Sequence, residues 1–152
     1  TACRRQRQMC IRDSNNGDFN LNLLPLICYE VIYSGKLSDV NNYDLIINIS
    51  EDGWFGKSIG PHQHFAHSVF RAIEEGKSII RSSNNGISAI IDPKGKIIKI
   101  NKSTSSGALS EYGFEKLSEM TVFSTYGRNN IFFYLVLIYI TLIFFLKRQL
   151  GR

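Results

Sequence analysis

The sequence predicts an α/β domain followed by one membrane-spanning helix, and two features lead to this prediction. Segments with the character of strand, helix, strand and strand follow one another between residues 23 and 100. That order is typical of an α/β layered domain, in which a helix packs on a sheet. Residues 131–146 then form an uncharged, mostly apolar run that differs from everything before it.

Two strands are predicted before the helix. Residues 23–28 are short and apolar, as in a buried strand, although Pro25 favours the start of a strand or an edge. Residues 44–50, DLIINIS, give the clearest strand, because they are rich in β-branched residues and bounded by polar turns. Residues 51–60 contain three glycines and are expected to be irregular.

One helix is predicted to follow this glycine-rich segment. Pro61 suits the first turn of a helix, and Gly76 suits the left-handed cap at its end. Four apolar residues between them have helical spacing and form one stripe for the core. They are Phe65, Val69, Ala72 and Ile73.

Three more strands and their turns complete the predicted domain. Residues 78–82 and 87–92 are expected to be strands joined by the Asn-Asn-Gly turn at 84–86. The tight turn Pro-Lys-Gly-Lys at 93–96 then leads to a short strand at 97–100.

The apolar run at 131–146 corresponds to about 24 Å of helix, against a hydrocarbon core of about 30 Å. A buried core helix is the alternative, but such a helix needs a polar face, and this one is apolar all round. Lys147 and Arg148 follow it and favour a transmembrane helix over 129–149. The basic flank predicts that the tail, residues 150–152, is cytoplasmic and that residues 14–128 lie outside.

The first 13 residues differ from the rest, since they carry four arginines and two of the three cysteines. They are interpreted as a foreign-looking leader to be left out of fold reasoning, with a basic nucleic-acid-binding arm as the alternative. The net charge of +5 comes from this leader and the C-terminal tail, because residues 14–146 hold 11 basic and 12 acidic residues. The charge therefore gives no support to nucleic-acid binding.

Cys28 is the only cysteine outside the leader, so no disulfide framework is predicted there. It ends an apolar run and is followed at once by Tyr29 and Glu30. A thiol at a strand end can act as a nucleophile, whereas a buried structural cysteine is the alternative.

The three histidines, at 62, 64 and 67, do not share one helical face, so we expect them to form hydrogen bonds or caps and predict no metal site. Arg71 and Arg81 are expected to pair with neighbouring carboxylates.

Several separate motifs now stand in one order. They are Cys28-Tyr29-Glu30, DGWFG at 52–56, SIGPHQH at 58–64, Arg71-Ala72 and RSSNNG at 81–86. With the terminal apolar run, this series resembles the C-terminal half of the catalytic domain of the apolipoprotein N-acyltransferases, which are membrane members of the nitrilase (carbon–nitrogen hydrolase) superfamily. The resemblance covers about residues 22–150, and Glu51 departs from it, since the family usually has asparagine there.

The resemblance implies the C-terminal half of a nitrilase-like αββα sandwich, so that residues 14–128 are a partial catalytic domain. It implies that Cys28 is the nucleophile and that Tyr29 and Glu30 matter for activity. If the strand continued beyond Cys28, Glu30 would share its face. Trp54 and Phe55 are predicted to form a mobile apolar loop over an acyl chain, and aromatic side chains that fill the core are the alternative.

The implied function is transfer of a fatty acyl chain from a phospholipid to the N-terminal diacylglyceryl-cysteine of apolipoproteins, through a Cys28 thioester and without a cofactor. The implied location is the bacterial inner membrane, with the catalytic domain in the periplasm. A membrane-tethered amidase or nitrilase and a non-enzymatic membrane-anchored binding module remain alternatives. The general-base glutamate and the lysine of the nitrilase triad precede the cysteine in the family, whereas no glutamate or lysine precedes Glu30 here. The chain is therefore expected to be inactive alone.

Overall fold

The computed structural model describes residues 9–13, 19–35, 37, 43–101, 107–111, 113, 115 and 117–150. Within these residues six strands form one sheet in the order β1–β2–β3–β4–β5–β6. The strands are β1 (Met9–Asp13), β2 (Phe19–Ile27), β3 (Leu45–Glu51), β4 (Ile79–Asn84), β5 (Ser88–Ile91) and β6 (Ile97–Asn101). The helices are α1 (Gly60–Glu75) and α2 (Val122–Leu150), with short 3-10 helices at Cys28–Ile32 and Gly53–Phe55.

The centre of the sheet is parallel and its outer strands are antiparallel. β2, β3 and β4 run in the same direction, and α1 forms the crossover between β3 and β4. β1 is antiparallel to β2, and β5 and β6 continue from β4 as antiparallel neighbours. This mixed sheet with its crossover helix confirms the predicted α/β class.

The hydrophobic core contains residues of α1 and of the sheet strands that the helix connects. Ile46 of β3, Ile79 of β4 and Ala72 of α1 are completely buried in it. α1 has Pro61 in its first turn, and Gly76 caps its end in the left-handed conformation with a φ of 64°. Both predicted helix boundaries are confirmed. Glycine suits the C-terminal one because it readily adopts a left-handed backbone conformation that other residues rarely reach.

β2 is longer than the predicted strand 23–28 because it also pairs with β1. The register with β1 runs from Phe19 to Leu23, and the register with β3 runs from Leu23 to Ile27. Pro25 lies beyond the last residue paired with β1, so its missing N–H does not interrupt that ladder.

The predicted leader overlaps β1. Residues 1–8 lie outside the described residues, but Met9–Asp13 is a strand of the sheet. These five residues therefore belong to the sheet, because their backbone pairs with β2. That the leader is foreign stays a prediction.

The face of the sheet opposite α1 exposes apolar side chains. Ile27 and Ile49 are partners in the register of β2 and β3, and they are 46% and 53% exposed. Side chains alternate between the two faces of a strand, so Asn48 and Ser50, the neighbours of Ile49, are buried on the other side.

α2 breaks at Gly127, whose φ of 70° is not helical. Among the described residues, one helix is long and apolar enough to cross a membrane, the 20-residue segment Asn130–Gln149, and none of it is buried. It overlaps the predicted span at 129–149. Of the predicted tail, residues 151–152 lie outside the described residues.

Candidate functional site

The candidate site lies at the carboxyl edge of the three parallel strands. Cys28 follows β2, Asp52 follows β3, and Asn85 follows β4. Loops at this edge of a parallel sheet commonly carry ligand-binding and catalytic groups. The topology therefore brings together motifs that are up to 57 residues apart in the sequence.

Cys28 is the first residue of the 3-10 helix that follows β2, and its φ is 46°. A non-glycine residue in this left-handed region costs of the order of 1–3 kcal/mol and persists only where its surroundings stabilise it. Its side chain is half-buried rather than fully enclosed. The sharp turn therefore places Cys28 at the rim of the sheet, and its role as the nucleophile stays a prediction.

Contacts from β3 and α1 stabilise this turn. The hydroxyl of Ser50 lies 3.8 Å from Cys28 Sγ, and the thiol lies 3.9 Å from the carbonyl oxygen of Glu51. The Cys28 carbonyl accepts hydrogen bonds from Asn48 Nδ2 at 3.4 Å and from His64 Nε2 at 3.2 Å. Both the sulfur and the main chain of Cys28 therefore have partners on the neighbouring elements.

Beneath Cys28 lies a buried network of polar and charged side chains. Arg81 Nη2 donates to both carboxylate oxygens of Asp52, at 3.1 and 2.8 Å, and both side chains are fully buried. His64 Nδ1 lies 2.8 Å from Asp52 Oδ1, and Arg81 Nη1 donates to Asn48 Oδ1. Burial alone raises the pKa of Asp52, but the hydrogen bond from His64 and the charge of Arg81 outweigh it and lower that pKa.

The structure also shows where the other predicted site residues lie. Tyr29 and Phe55 flank the ring of His64, each with its ring centroid 5.6 Å from it. Trp54 is 89% exposed. Glu30 accepts a hydrogen bond from the Ile27 N–H at 2.8 Å.

The expectation that Glu30 shares a face with Cys28 was conditional on a continuing strand, and the strand ends at Ile27. The chain turns into a 3-10 helix there, so the Glu30 carboxylate folds back on the strand end instead. This is a capping contact, and the catalytic roles assigned to Tyr29 and Glu30 stay predictions.

Glu51 connects the loop Gly53–Phe55 to the turn after β4. Its carboxylate accepts hydrogen bonds from the Gly53 N–H at 2.7 Å, from Asn85 Nδ2 at 3.1 Å and from Asn84 Nδ2. The hydrogen bond from Asn85, followed by those from Gly53 and Asn84, lowers the pKa of Glu51. The residue that departs from the family pattern therefore fixes the loop that carries Trp54.

We predict that this connection breaks under acidic conditions. A carboxylate with a lowered pKa contributes stability above its unfolded pKa of about 4.3 and loses it as the pH falls through the folded value. Trp54 is the only tryptophan, so its fluorescence anisotropy reports the mobility of the loop directly. We expect the anisotropy to fall below about pH 4.3, and Glu51→Gln to abolish that titration. An unchanged titration in Glu51→Gln would assign it to another group.

Sequence reasoning did not identify the network residues as a group. Arg71 and Arg81 were each expected to pair with a neighbouring carboxylate. The ion pairs of Arg71 with Glu74 and of Arg81 with Asp52 confirm this. His64 was expected to form hydrogen bonds, which is also confirmed. The signal that could have found the network is that Asp52, His64 and Arg81 each lie in one of the five motifs, in DGWFG, SIGPHQH and RSSNNG respectively. Among the described residues, no group of three or more His, Cys, Asp or Glu side chains could hold a metal ion.

Comparison with known proteins identifies the family. Residues 9–111 match the family model described as carbon-nitrogen hydrolase. The chain belongs to the carbon-nitrogen hydrolase family. Its curated relatives include the apolipoprotein N-acyltransferases of Rickettsia typhi, 43% identical over 84% of this chain, and of Wigglesworthia glossinidia brevipalpis, 38% identical over 87%. The chain covers 26% of each of these relatives, or about a quarter of their length.

Another relative gives a shorter but more similar match, and one solved structure is a distant neighbour. The apolipoprotein N-acyltransferase of Rhizobium leguminosarum is 49% identical over 51% of this chain and 15% of the relative. A mutant of the amidase from Nesterenkonia sp. AN1, which shows Michael addition of acrylamide at its active-site cysteine, matches at a TM-score of 0.44. The identity is 17%, over 65% of this chain and 40% of that one. The predicted family resemblance is thus confirmed by the sequence relatives.

Proposed function

We propose that this chain carries the nucleophile of an N-acyltransferase. The enzyme moves a fatty acyl chain from a phospholipid to the N-terminal diacylglyceryl-cysteine of apolipoproteins. The observation that carries the proposal is Cys28 itself, a half-buried thiol in a left-handed turn at the carboxyl edge of the parallel strands. The relatives named apolipoprotein N-acyltransferase support the choice of substrates.

The proposed reaction has two steps. The Cys28 thiol gives up its proton as its sulfur attacks the ester carbonyl of the phospholipid, the C–O bond breaks, and that proton leaves on the oxygen of the lysophospholipid. The amine of the acceptor then attacks the thioester, the C–S bond breaks, and the thiol is regenerated as the amide forms. Both steps pass through an oxyanion, which main-chain N–H groups of a turn can stabilise.

Exposed apolar side chains near the Cys28 turn suit a lipid substrate. Trp54, Ile59 and Tyr29 are all more than half exposed. Phe55 follows Trp54 in the same loop, and its ring packs against the ring of the buried His64. We therefore propose that Trp54 and Phe55 contact the acyl chain, with Trp54 as the outer contact and Phe55 as the inner one.

The apolar helix at Asn130–Gln149 suits an enzyme whose substrates reside in a bilayer. We propose that it spans the bacterial inner membrane, with the catalytic part in the periplasm and the C-terminus in the cytoplasm. The basic pair Lys147 and Arg148 at the end of α2 supports this orientation. The proposed partners are the phospholipid donor, the apolipoprotein acceptor and the membrane.

The experiment uses a completed chimera, in which residues 9–152 follow the upstream part of the Rickettsia typhi relative. Given phospholipid without an acceptor, the chimera is expected to accumulate an acyl thioester on Cys28, detected as a hydroxylamine-sensitive mass shift of the Cys28 peptide. Cys28→Ser should abolish the thioester. An acyl group on another residue would contradict the assignment, and hydrolysis of a short-chain amide without acyl transfer would favour a membrane-tethered amidase.

A further inference from the structure

His64 lies between the Cys28 turn and the buried ion pair of Asp52 and Arg81. It lies on the buried face of α1 and is 2% exposed. Its ring lies between Tyr29 and Phe55, and its two nitrogens face the Cys28 carbonyl and Asp52. We propose that His64 is a positioning residue that keeps Cys28 in its left-handed turn. This inference rests on the proposed function, in which Cys28 is the nucleophile.

His64 Nε2 faces a partner that can only accept. The 3.2 Å contact between this nitrogen and the Cys28 carbonyl oxygen is a hydrogen bond in those forms of the ring that carry a proton on Nε2. The other nitrogen, Nδ1, lies 2.8 Å from Asp52 Oδ1, and Arg81 binds both oxygens of that carboxylate. The ring orientation is therefore fixed by a buried ion pair, and Nε2 is aimed at the turn.

Asn48 does not replace this bond. Its Nδ2 lies 3.0 Å from the carbonyl of Leu26 but 3.4 Å from that of Cys28, so its closer partner is Leu26. The shorter of these two side-chain bonds to the Cys28 carbonyl comes from His64. Without it, the carbonyl keeps the longer side-chain contact with Asn48, and the turn can relax out of the left-handed region.

The first test reads the turn directly in the full 152-residue chain in detergent micelles, without any substrate. In His64→Leu we expect hydrogen exchange at Cys28–Ile32 to become at least about 10-fold faster. In the parallel strands β3 and β4 we expect exchange to stay unchanged. The matched control is His62→Leu, an exposed histidine on the same helix, which should leave both regions as in the wild type. Unchanged exchange at the turn in His64→Leu would overturn the proposal, whatever the activity of the protein.

The second test uses the completed chimera and separates positioning from general loss of structure. His64→Leu should lower the maximal rate of Cys28 acylation about 10- to 100-fold, because displaced reacting atoms slow the chemical step. The half-saturating phospholipid concentration should change less than about twofold, since the substitution does not alter the contacts that bind the phospholipid before the reaction. His64→Gln should recover most of the rate, because its amide N–H can donate to the same carbonyl.

The outcomes of the second test are distinct. A defect that lies only in the half-saturating concentration, or a His64→Gln variant as slow as His64→Leu, would contradict the positioning role. Absence of Cys28 acylation in the unsubstituted chimera would instead contradict the proposed function, and the exchange experiment would still decide the role of His64.

Discussion

Replacing Arg81 by Met is expected to lower the free energy of unfolding of the full chain by about 3–5 kcal/mol. Arg81 and Asp52 form a fully buried ion pair, and the substitution leaves the Asp52 carboxylate buried without its charge partner. Removing one partner of such a pair is far more harmful than removing both, because an isolated buried charge has lost its hydration without compensation. The urea midpoint of the chain in detergent micelles, followed by circular dichroism, measures this loss.

Two further variants make this test specific. Lys57→Met removes a cation from an exposed position and should change the unfolding free energy by less than about 0.5 kcal/mol. The double variant Asp52→Asn with Arg81→Met removes both charges and should recover part of the stability lost in the single variant. A single variant that unfolds at the wild-type urea concentration would show that the buried pair does not stabilise the fold.

The helix α1 shows what hydrophobic periodicity can and cannot predict. Its boundaries follow from Pro61 and Gly76, and two of the four stripe residues, Phe65 and Ala72, are buried as predicted. Ile73 is 45% exposed, because the buried face of α1 includes polar residues and Ile73 lies outside it. Those polar residues have helical spacing and are fully or almost fully buried: His64, Ser68, Arg71 and Glu75.

A buried polar stripe is invisible to a pattern that counts apolar residues. Buried polar side chains need hydrogen-bond partners, and those of His64, Ser68 and Glu75 come from other elements that are remote in the sequence. Glu75, for example, accepts a hydrogen bond from Tyr43 Oη at 2.5 Å, 32 residues away. Burial raises the pKa of Glu75 and that of Tyr43. Cys28 was therefore predictable, because one local motif contains it. The buried network was not, because its residues come from three separate elements.

The same distinction explains the strands and the Cys28 turn. β3 was predictable because its β-branched residues are local. The pairing of β1 with β2 is a tertiary interaction, which the composition of the leader does not indicate. Cys28 was placed correctly at a strand end. Its left-handed φ of 46° was not predictable from its residue type, because it depends on His64, Asn48 and Ser50 from other elements.

The 152-residue chain alone is expected to transfer acyl groups at least about 10³-fold more slowly than the completed chimera. The family resemblance implies a glutamate base and a lysine that stabilises the tetrahedral intermediate, both placed before the cysteine. No glutamate or lysine precedes Glu30 in this chain. The face opposite α1 also exposes Ile27 and Ile49, and the chain covers about a quarter of the length of its curated relatives.

The measurement compares the two proteins under identical conditions, with radiolabelled phospholipid and a diacylglyceryl-cysteine peptide as acceptor. The chimera with Cys28→Ser is the control, since it keeps the upstream residues and lacks only the thiol. If the chimera is active and this control is not, the nucleophile comes from this chain and the missing groups come from the upstream part. Similar rates for the short chain and the chimera would contradict this division, because the base and the oxyanion-stabilising cation would then have to lie within the 152 residues.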